Sequence, residues 1–299
     1  MKIVFGQLSI LYIFLLAGWL IGKLKKEKAS HSDILSVLLV NIFLPCKVFS
    51  TFANNFSAAY FLENYYLPLS ALALLVILAV LSFFISKLLT KHRYERKVYQ
   101  YSFAITNYAY LGYALIGSVF GEEVLARFML FAIPFIIYTY TVGYVMLTGG
   151  KKPLKKLLNP ITVSIVLGMI IGLSGLKLPA FISSTVSMAS SCVGPLSMIL
   201  TGMTLSTFII KELICDKTAY IFSAIRLIVI PGIVYLFCTL VHLDAMLPMM
   251  LIITCMPCGL NTIVFPKLIG EDCKPGARLA LITHLCSILT LPFWLSLIL

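Results

Sequence analysis

Two apolar stretches of the sequence each contain an amide side chain beside residues that weaken a helix. The first covers residues 103–116 and the second covers residues 255–266. Proline in the second stretch lacks a backbone N–H and frees the carbonyl group four residues earlier, so polar groups become available in apolar surroundings. Such groups could hydrogen bond a small polar solute. The candidate binding residues are Asn107, Tyr108, Gly112, Pro257, Gly259, Asn261 and Thr262.

Other reactive residue types give weaker predictions. Cys255 and Cys258 have the spacing of a redox or metal pair, but no second pair and no clustered histidine accompanies them. The sequence shows no nucleophile–base pair, so we predict no catalytic residue, no metal site and no cofactor. The two amide stretches also have a simpler interpretation, which is a proline kink with Asn107 and Asn261 bonding only to neighbouring helices.

These residues lie in a chain with the composition of an integral membrane protein. Of its 299 residues, 61% are hydrophobic and 11% are charged, whereas soluble domains average roughly 45–50% and 25%. Inside lipid every backbone polar group must be paired internally, so only helices or a closed barrel can span a bilayer. Long apolar runs such as 71–85 and 225–240 exclude the alternation of barrel strands. We therefore predict an all-α integral membrane protein.

The hydrophobic pattern predicts ten transmembrane helices, which we number as segments 1 to 10. The first is interpreted as a spanning helix rather than a cleaved signal peptide, because no small-residue cleavage site ends it. In order, the segments cover residues 4–23, 33–53, 65–89, 98–119, 124–148, 160–175, 180–207, 217–241, 244–267 and 276–298.

Basic residues are strongly biased to one side of these segments. Eighteen of the 23 lysines and arginines fall in loops that follow odd-numbered segments, and three fall on the other side. Cytoplasmic loops are enriched in these residues, so we predict both termini outside the cytoplasm, in a plasma or bacterial inner membrane. This bias accounts for the net charge of +12, and no nucleic-acid partner is predicted.

The chain also repeats itself at an offset of 149 or 150 residues. We predict a first five-helix repeat over 1–148, a cytoplasmic linker over 149–159 and a second repeat over 160–299. Because five is odd, the repeats would enter the membrane in opposite orientations, as in many secondary transporters. The alternative is that glycines recur only for close helix packing. The matched residues are Gly18 with Gly168, Gly22 with Gly172, Pro45 with Pro195, and Gly121 with Gly270.

Interruptions at matching positions of two repeats are typical of a transporter binding site. Segments 4 and 9 are therefore predicted to be broken and to cross near the membrane midplane. The N-terminus of each resumed half-helix would present free N–H groups and a positive partial charge, which favours an anion. We interpret Pro45, Pro195 and Pro257 as hinges or helix breaks.

Three ionisable side chains fall inside predicted segments. Lys47 in segment 2 and Arg226 in segment 8 are cations at depth, and such charges usually face a cavity or a partner. All eleven acidic residues lie in loops or at segment ends, so we expect an anionic solute, and no carboxylate, to neutralise them. Lys47 could instead extend to the membrane surface. His284 in segment 10 is a candidate for proton coupling or a structural hydrogen bonder.

A series of short motifs follows a fixed order from segment 2 to segment 10. They are Asn41 to Pro45, Asn107 with Leu111 and Gly112, Pro195 with Gly202 and Leu205, Arg226 with Pro231, Met256 and Pro257 with Asn261, Gly270 to Asp272, and Thr290 to Pro292. No single motif is highly specific. In their order and spacing, over essentially its whole length, the chain resembles the auxin efflux carrier family of membrane transporters.

This resemblance implies two inverted five-helix repeats, a scaffold domain, and a mobile domain in which the broken segments 4 and 9 cross. It also implies a homodimer and small carboxylate substrates such as auxin, malate or malonate. Two departures matter. Ala114 stands where the family often has proline, which weakens the expected break in segment 4. The long cytoplasmic loop of many plant carriers is absent, which favours a compact prokaryotic-type member.

The sequence therefore predicts a secondary transporter or uniporter for a small organic anion, working by alternating access against a scaffold of segments 1, 2, 6 and 7. A sodium-coupled carrier like the bile acid transporters is an alternative, which the lack of deep acidic residues disfavours. A membrane enzyme would need a nucleophile–base pair or a metal cluster. A sensor without transport would have no use for an inverted repeat.

Overall fold

The structure is a computed structural model that describes residues 2–24, 29–150 and 157–299. Within these ranges the chain is helical and forms no strand. Residues 25–28 and 151–156 lie outside the described ranges. They hold seven of the eighteen basic residues assigned to cytoplasmic loops, and most of the predicted linker, so that part of the topology prediction is untested.

Helices occupy all ten predicted segments, with ends close to those expected from hydropathy. Segments 1 to 5 are Lys2–Leu24; Ala29–Leu38, Leu39–Phe43 and Leu44–Asn55; Tyr66–Leu89; Arg93–Ala104 and Tyr108–Phe120; and Glu122–Phe131 and Ile133–Thr148. Segments 6 to 10 are Pro160–Ser174; Ala180–Ser191 and Val193–Ser206; Lys217–Leu240; Leu247–Cys255 and Asn261–Lys267; and Lys274–Ser296. Two short helices, Ala58–Asn64 and Ile210–Ile214, precede segments 3 and 8.

The described helices are long and apolar enough for a multi-pass membrane protein. Six of them can each cross a membrane, and a seventh span results if the two helices of segment 5, bent by 49°, count as one. Tyr108–Phe120 and Pro160–Ser174 are apolar but shorter. The ten-span topology and the inverted repeat therefore stay predictions.

Much of the outer surface is apolar. On segment 3, Leu69 is 62% exposed, Val76 is 53% exposed and Phe84 is 59% exposed, while Ala71 and Leu78 on the other face are buried. Water-soluble proteins rarely expose contiguous apolar patches of this extent. The exposed face of segment 3 therefore suits contact with lipid.

Segments 2, 4, 5 and 8 each contain a π-helical turn. Two of these turns precede a proline: Leu39–Phe43 lies before Pro45, and Ile225–Val229 lies before Pro231. Because proline lacks the N–H of the regular ladder, the wider turn accommodates the missing donor. Pro195 follows the break between the two helices of segment 7. Pro45 and Pro195, two of the predicted hinges, thus lie at or beside irregular backbone.

Glycines bring the predicted scaffold segments into backbone contact. A Cβ atom at Gly18 would overlap the carbonyl oxygen of Ile199, so segments 1 and 7 touch closely. A Cβ atom at Gly168 would lie 2.9 Å from the carbonyl oxygen of Phe49, so segments 6 and 2 do the same. Gly18 and Gly168 are 150 residues apart, and so are Phe49 and Ile199. The two contacts therefore occupy matching positions in the two halves.

Candidate functional site

Segments 4 and 9 are both interrupted, and the two interruptions contact each other. Residues 105–107 form the first break and residues 256–260 form the second break. The backbone N–H of Asn107 donates to the carbonyl oxygen of Pro257 at 2.8 Å. This bond pairs polar groups that would otherwise be unsatisfied in apolar surroundings. Interruptions in both segments are therefore present and in contact at a point we call the crossing, and the first break forms without a proline.

A glycine and a threonine hold the crossing together, and a second threonine bonds within the second break. A Cβ atom on Gly259 would lie 3.1 Å from the carbonyl oxygen of Thr106, which is tighter than an ordinary contact. The Thr106 hydroxyl donates to the carbonyl oxygen of Ile253 at 3.3 Å, and the Thr262 hydroxyl donates to that of Gly259 at 3.1 Å. Gly259 is therefore required for close approach, and Thr262 bonds to its own loop.

The Asn107 amide makes a hydrogen bond to a histidine from the far end of the chain. Its Nδ2 atom lies 3.0 Å from Nε2 of His284, and Nδ1 of His284 lies 2.7 Å from the carbonyl oxygen of Ala280. A carbonyl oxygen only accepts, so Nδ1 carries the proton of the neutral ring and Nε2 accepts from the Asn107 amide. Both side chains are buried. The two candidate residues thus form one buried unit.

The Asn261 amide has a different partner. Its Nδ2 atom donates to the Tyr101 hydroxyl at 3.0 Å. Tyr101 is fully buried in segment 4, on the helix that ends at the first break. Each of the two amides therefore bonds a side chain of another segment. The simpler interpretation of the sequence, in which the amides bond to neighbouring helices, expected such bonds.

A small central cavity of about 40 Å³ lies at the crossing. It brings together four of the seven predicted binding residues, namely Asn107, Tyr108, Gly259 and Asn261. Gly112, Pro257 and Thr262 are not among the described residues that line it; Pro257 contributes its carbonyl group to the crossing instead. The other polar lining residues are Thr106, Tyr110, Tyr113, Thr139 and Tyr140.

A larger polar cavity of about 660 Å³, the Lys47 cavity, adjoins the central cavity at Tyr113, which lines both. Lys47 and Glu122 line it and form an ion pair with an Nζ–Oε1 distance of 2.7 Å. The expectation that no carboxylate reaches Lys47 is therefore wrong. Glu122 is at the start of segment 5, and its side chain reaches back to segment 2.

A third cavity of about 300 Å³, the Lys267 cavity, adjoins the central cavity at Leu260, which lines both. Here Lys267 at the end of segment 9 pairs with Asp33 in segment 2, with an Nζ–Oδ1 distance of 2.6 Å. Segment 2 thus carries an ion pair near each of its ends. The Lys47–Glu122 pair joins segment 2 to the start of segment 5, and the Asp33–Lys267 pair joins it to the end of segment 9.

Arg226 lies away from the cavity and supports the second break. Its guanidinium is fully buried and donates to the carbonyl oxygens of Thr254 and Ile253, the latter at 3.3 Å. These carbonyls are at the C-terminal end of Leu247–Cys255, where the helix dipole favours a cation. The expectation that a solute neutralises Arg226 therefore finds no support, since backbone carbonyls are its partners in the described structure.

The cysteines at the second break are buried free thiols. The backbone N–H of Cys258 donates to the Thr283 hydroxyl at 3.0 Å, which ties the break to segment 10. Across the described ranges, no three His, Cys, Asp or Glu side chains are grouped as metal ligands.

Sequence reasoning missed several residues of the cavity. Thr106 could have been found, because it adjoins Asn107 in the first break. Thr139 and Tyr140 lie in a π-turn of segment 5 and carry no local sequence signal, since only the folded chain brings that turn to the crossing.

Two comparisons with known proteins cover the whole site. The chain matches the family described as membrane transport protein over residues 3–153 and 146–295. It is also 28% identical over 303 residues to a protein of Methanocaldococcus jannaschii named as an uncharacterized transporter. That alignment covers 95% of this chain and 96% of the other. Both breaks and His284 lie inside the residues that the family matches.

Proposed function

Because the chain belongs to the membrane transport protein family, of the auxin efflux carrier type, we propose that it carries a small organic anion across a cell membrane by alternating access. The family and the archaeal relative already make it a multi-pass membrane transporter. The solute class and the mechanism are the proposal, and the observation that carries them is the central cavity at the crossing of the two breaks.

The cavity suits a solute that accepts hydrogen bonds. The helix Tyr108–Phe120 begins at the cavity, and the first N–H groups of a helix have no partner within it. These groups and the helix dipole favour a negative charge. The described lining residues include two amides and no acidic side chain. A carboxylate is the common metabolite group that matches these backbone donors.

The size of the cavity requires that the segments around it separate during transport. A volume of about 40 Å³ accommodates roughly one water molecule, which is less than any dicarboxylate needs. Tyr113 stands between it and the Lys47 cavity, and Leu260 stands between it and the Lys267 cavity. We propose these two side chains as alternate gates, with the neighbouring ion pair supporting each closed gate.

Segments 1, 2, 6 and 7 supply the proposed scaffold. The glycine contacts that join segment 1 to 7 and segment 6 to 2 lie at matching positions of the two halves, which supports an inverted five-plus-five repeat. The broken segments would move against this scaffold. The family resemblance supports a homodimer. The loop charges support termini outside the cytoplasm, in a plasma or bacterial inner membrane.

Uptake by purified protein in proteoliposomes tests this function directly. Labelled malate, malonate and indole acetate would be supplied separately, with empty liposomes as the control. We expect saturable uptake of at least one acid, inhibited by an excess of the same unlabelled acid. Uptake of none of them by protein shown to be folded would contradict the carboxylate assignment.

A further inference from the structure

We propose that His284 and Asn107 form a proton-responsive switch that turns the Asn107 side chain from an acceptor into a donor at the central cavity, so that a proton accompanies each organic anion. The inference rests on the proposed function, because it concerns the same cavity. It assigns a coupling ion, which neither the family nor the relative supplies. The hydrogen-bond geometry of the pair carries it.

With the histidine neutral, the pair presents an acceptor to the cavity. The Ala280 carbonyl oxygen fixes the ring proton on Nδ1, so Nε2 must accept from the Asn107 Nδ2 atom. The Asn107 Oδ1 atom then makes no hydrogen bond to another described residue. Asn107 lines the cavity, and Oδ1 is its side-chain acceptor that is left without a hydrogen bond, so we infer that Oδ1 is the acceptor available to a solute there. A carboxylate is repelled by such an oxygen.

Protonation of His284 reverses this polarity. The imidazolium donates from both nitrogens, so Nε2–H would oppose the donating Nδ2 atom of Asn107. The bond to Ala280 is unaffected, because Nδ1 donates in both states. A half turn of the Asn107 amide removes the conflict and brings Oδ1 to Nε2–H. The two Nδ2 hydrogens then replace Oδ1 at the cavity, where one can donate to a carboxylate, and the new positive charge adds to the attraction.

Among the described residues, Asn107 is the side chain that hydrogen bonds to the His284 ring. Tyr12 of segment 1 donates its hydroxyl to the His284 carbonyl oxygen at 2.8 Å, so it contacts the backbone and not the ring. On segment 9, Cys255 and Cys258 are buried thiols close to Arg226 of segment 8. Arg226 is engaged by backbone carbonyls of segment 9. Among the described residues, no charged side chain hydrogen bonds to His284.

The proton and the solute then move together. On the entry side Nε2 takes a proton from water and the cavity takes the anion. On the exit side the anion leaves, the amide turns back, and the proton returns to water. One proton crosses with each solute, so a monocarboxylate moves without net charge and a dicarboxylate dianion carries one negative charge.

Two proton measurements on wild-type proteoliposomes test the switch. With the membrane voltage held at zero, an inwardly directed proton gradient of about one pH unit should concentrate labelled malonate roughly tenfold, since one proton is coupled to each anion. Adding unlabelled malonate outside should also make the external medium more alkaline. The concentration for half-maximal uptake should rise with pH, because fewer molecules carry the donor form.

The variant His284→Gln tests whether coupling needs the imidazole. Because glutamine cannot take up a proton, whatever malonate uptake the variant retains should show no proton movement and no accumulation driven by the proton gradient. His92→Gln is the matched control, because His92 is exposed at the start of segment 4. Proton-coupled uptake by His284→Gln, or malonate transport without proton movement by wild type, would overturn the switch alone. No transport of any acid by wild type would overturn the proposed function as well.

Discussion

The first and second breaks cross at the same place but are held in different ways. The first break contains no proline, and its Asn107 side chain bonds to a titratable ring at 3.0 Å. The second break contains Pro257, and its side-chain partners do not change protonation: Arg226 donates at its start, and the Thr283 hydroxyl accepts from Cys258. The difference indicates that the second break is a fixed frame and the first is the adjustable side of the cavity.

The largest expected effect comes from removing the support of the second break. Arg226→Met leaves the Thr254 carbonyl without its side-chain donor, and the Ile253 carbonyl keeps only the Thr106 hydroxyl. A buried acceptor left unpaired costs about 1–3 kcal/mol, and a hydrogen bond to a charged group is worth about 1.5–3 kcal/mol. We expect a loss of roughly 2–5 kcal/mol in unfolding free energy, measured by thermal unfolding in detergent. Arg127→Met is the control, because its exposed pair with Glu123 is worth about 0–1 kcal/mol. Equal melting temperatures would show that Arg226 does not support the break.

Two glycines test whether the half-helix after the second break is packed more tightly than the one after the first. Gly276 of segment 10 packs against Thr262 in the half-helix after the second break, and Gly112 lies in the half-helix after the first. A Cβ atom at Gly276 would overlap the carbonyl oxygen of Thr262, whereas one at Gly112 would meet its nearest neighbours at 3.7 Å. Gly276→Ala should therefore cost about 1–3 kcal/mol through overpacking. Gly112→Ala should change stability by less than about 1 kcal/mol. The same unfolding assay measures both, and a reversed order would break the comparison.

The smallest expected effect concerns the partner of Asn261. Tyr101→Phe removes the hydroxyl that holds the Asn261 amide, a bond worth about 0.5–1.5 kcal/mol. Uptake should fall a few-fold and keep its pH dependence, because the first break is untouched. Tyr94→Phe is the control, since the Tyr94 hydroxyl has no hydrogen-bond partner in the described ranges. A lost pH dependence in Tyr101→Phe would mean that the second break also responds to protons.

Local sequence chemistry predicted the position of both breaks. Pro257 and Gly259 cannot continue a helix well, and their surroundings are too apolar for an ordinary loop. The side-chain pairs at and near the breaks could not be predicted. Asn107 and His284 are 177 residues apart, and Lys47 and Glu122 are 75 apart. Such pairs depend on tertiary packing, which no local period or propensity encodes. The wrong expectation that no carboxylate reaches Lys47 has this origin, because its partner Glu122 lies at the start of segment 5 and its side chain reaches segment 2.

The central claim is that both amides at the crossing serve transport. Uptake of labelled malate, malonate and indole acetate by Asn107→Ala and Asn261→Ala, divided by the amount of folded protein, tests it most directly. Asn41→Ala is the control, because Asn41 is exposed and bonds only to its own helix at Val37. We expect uptake to fall about tenfold or more in the Asn107 variant, since an interaction worth about 1.4 kcal/mol gives that factor. The Asn261 variant should also fall, while the control transports normally. Wild-type uptake by both variants would contradict the account.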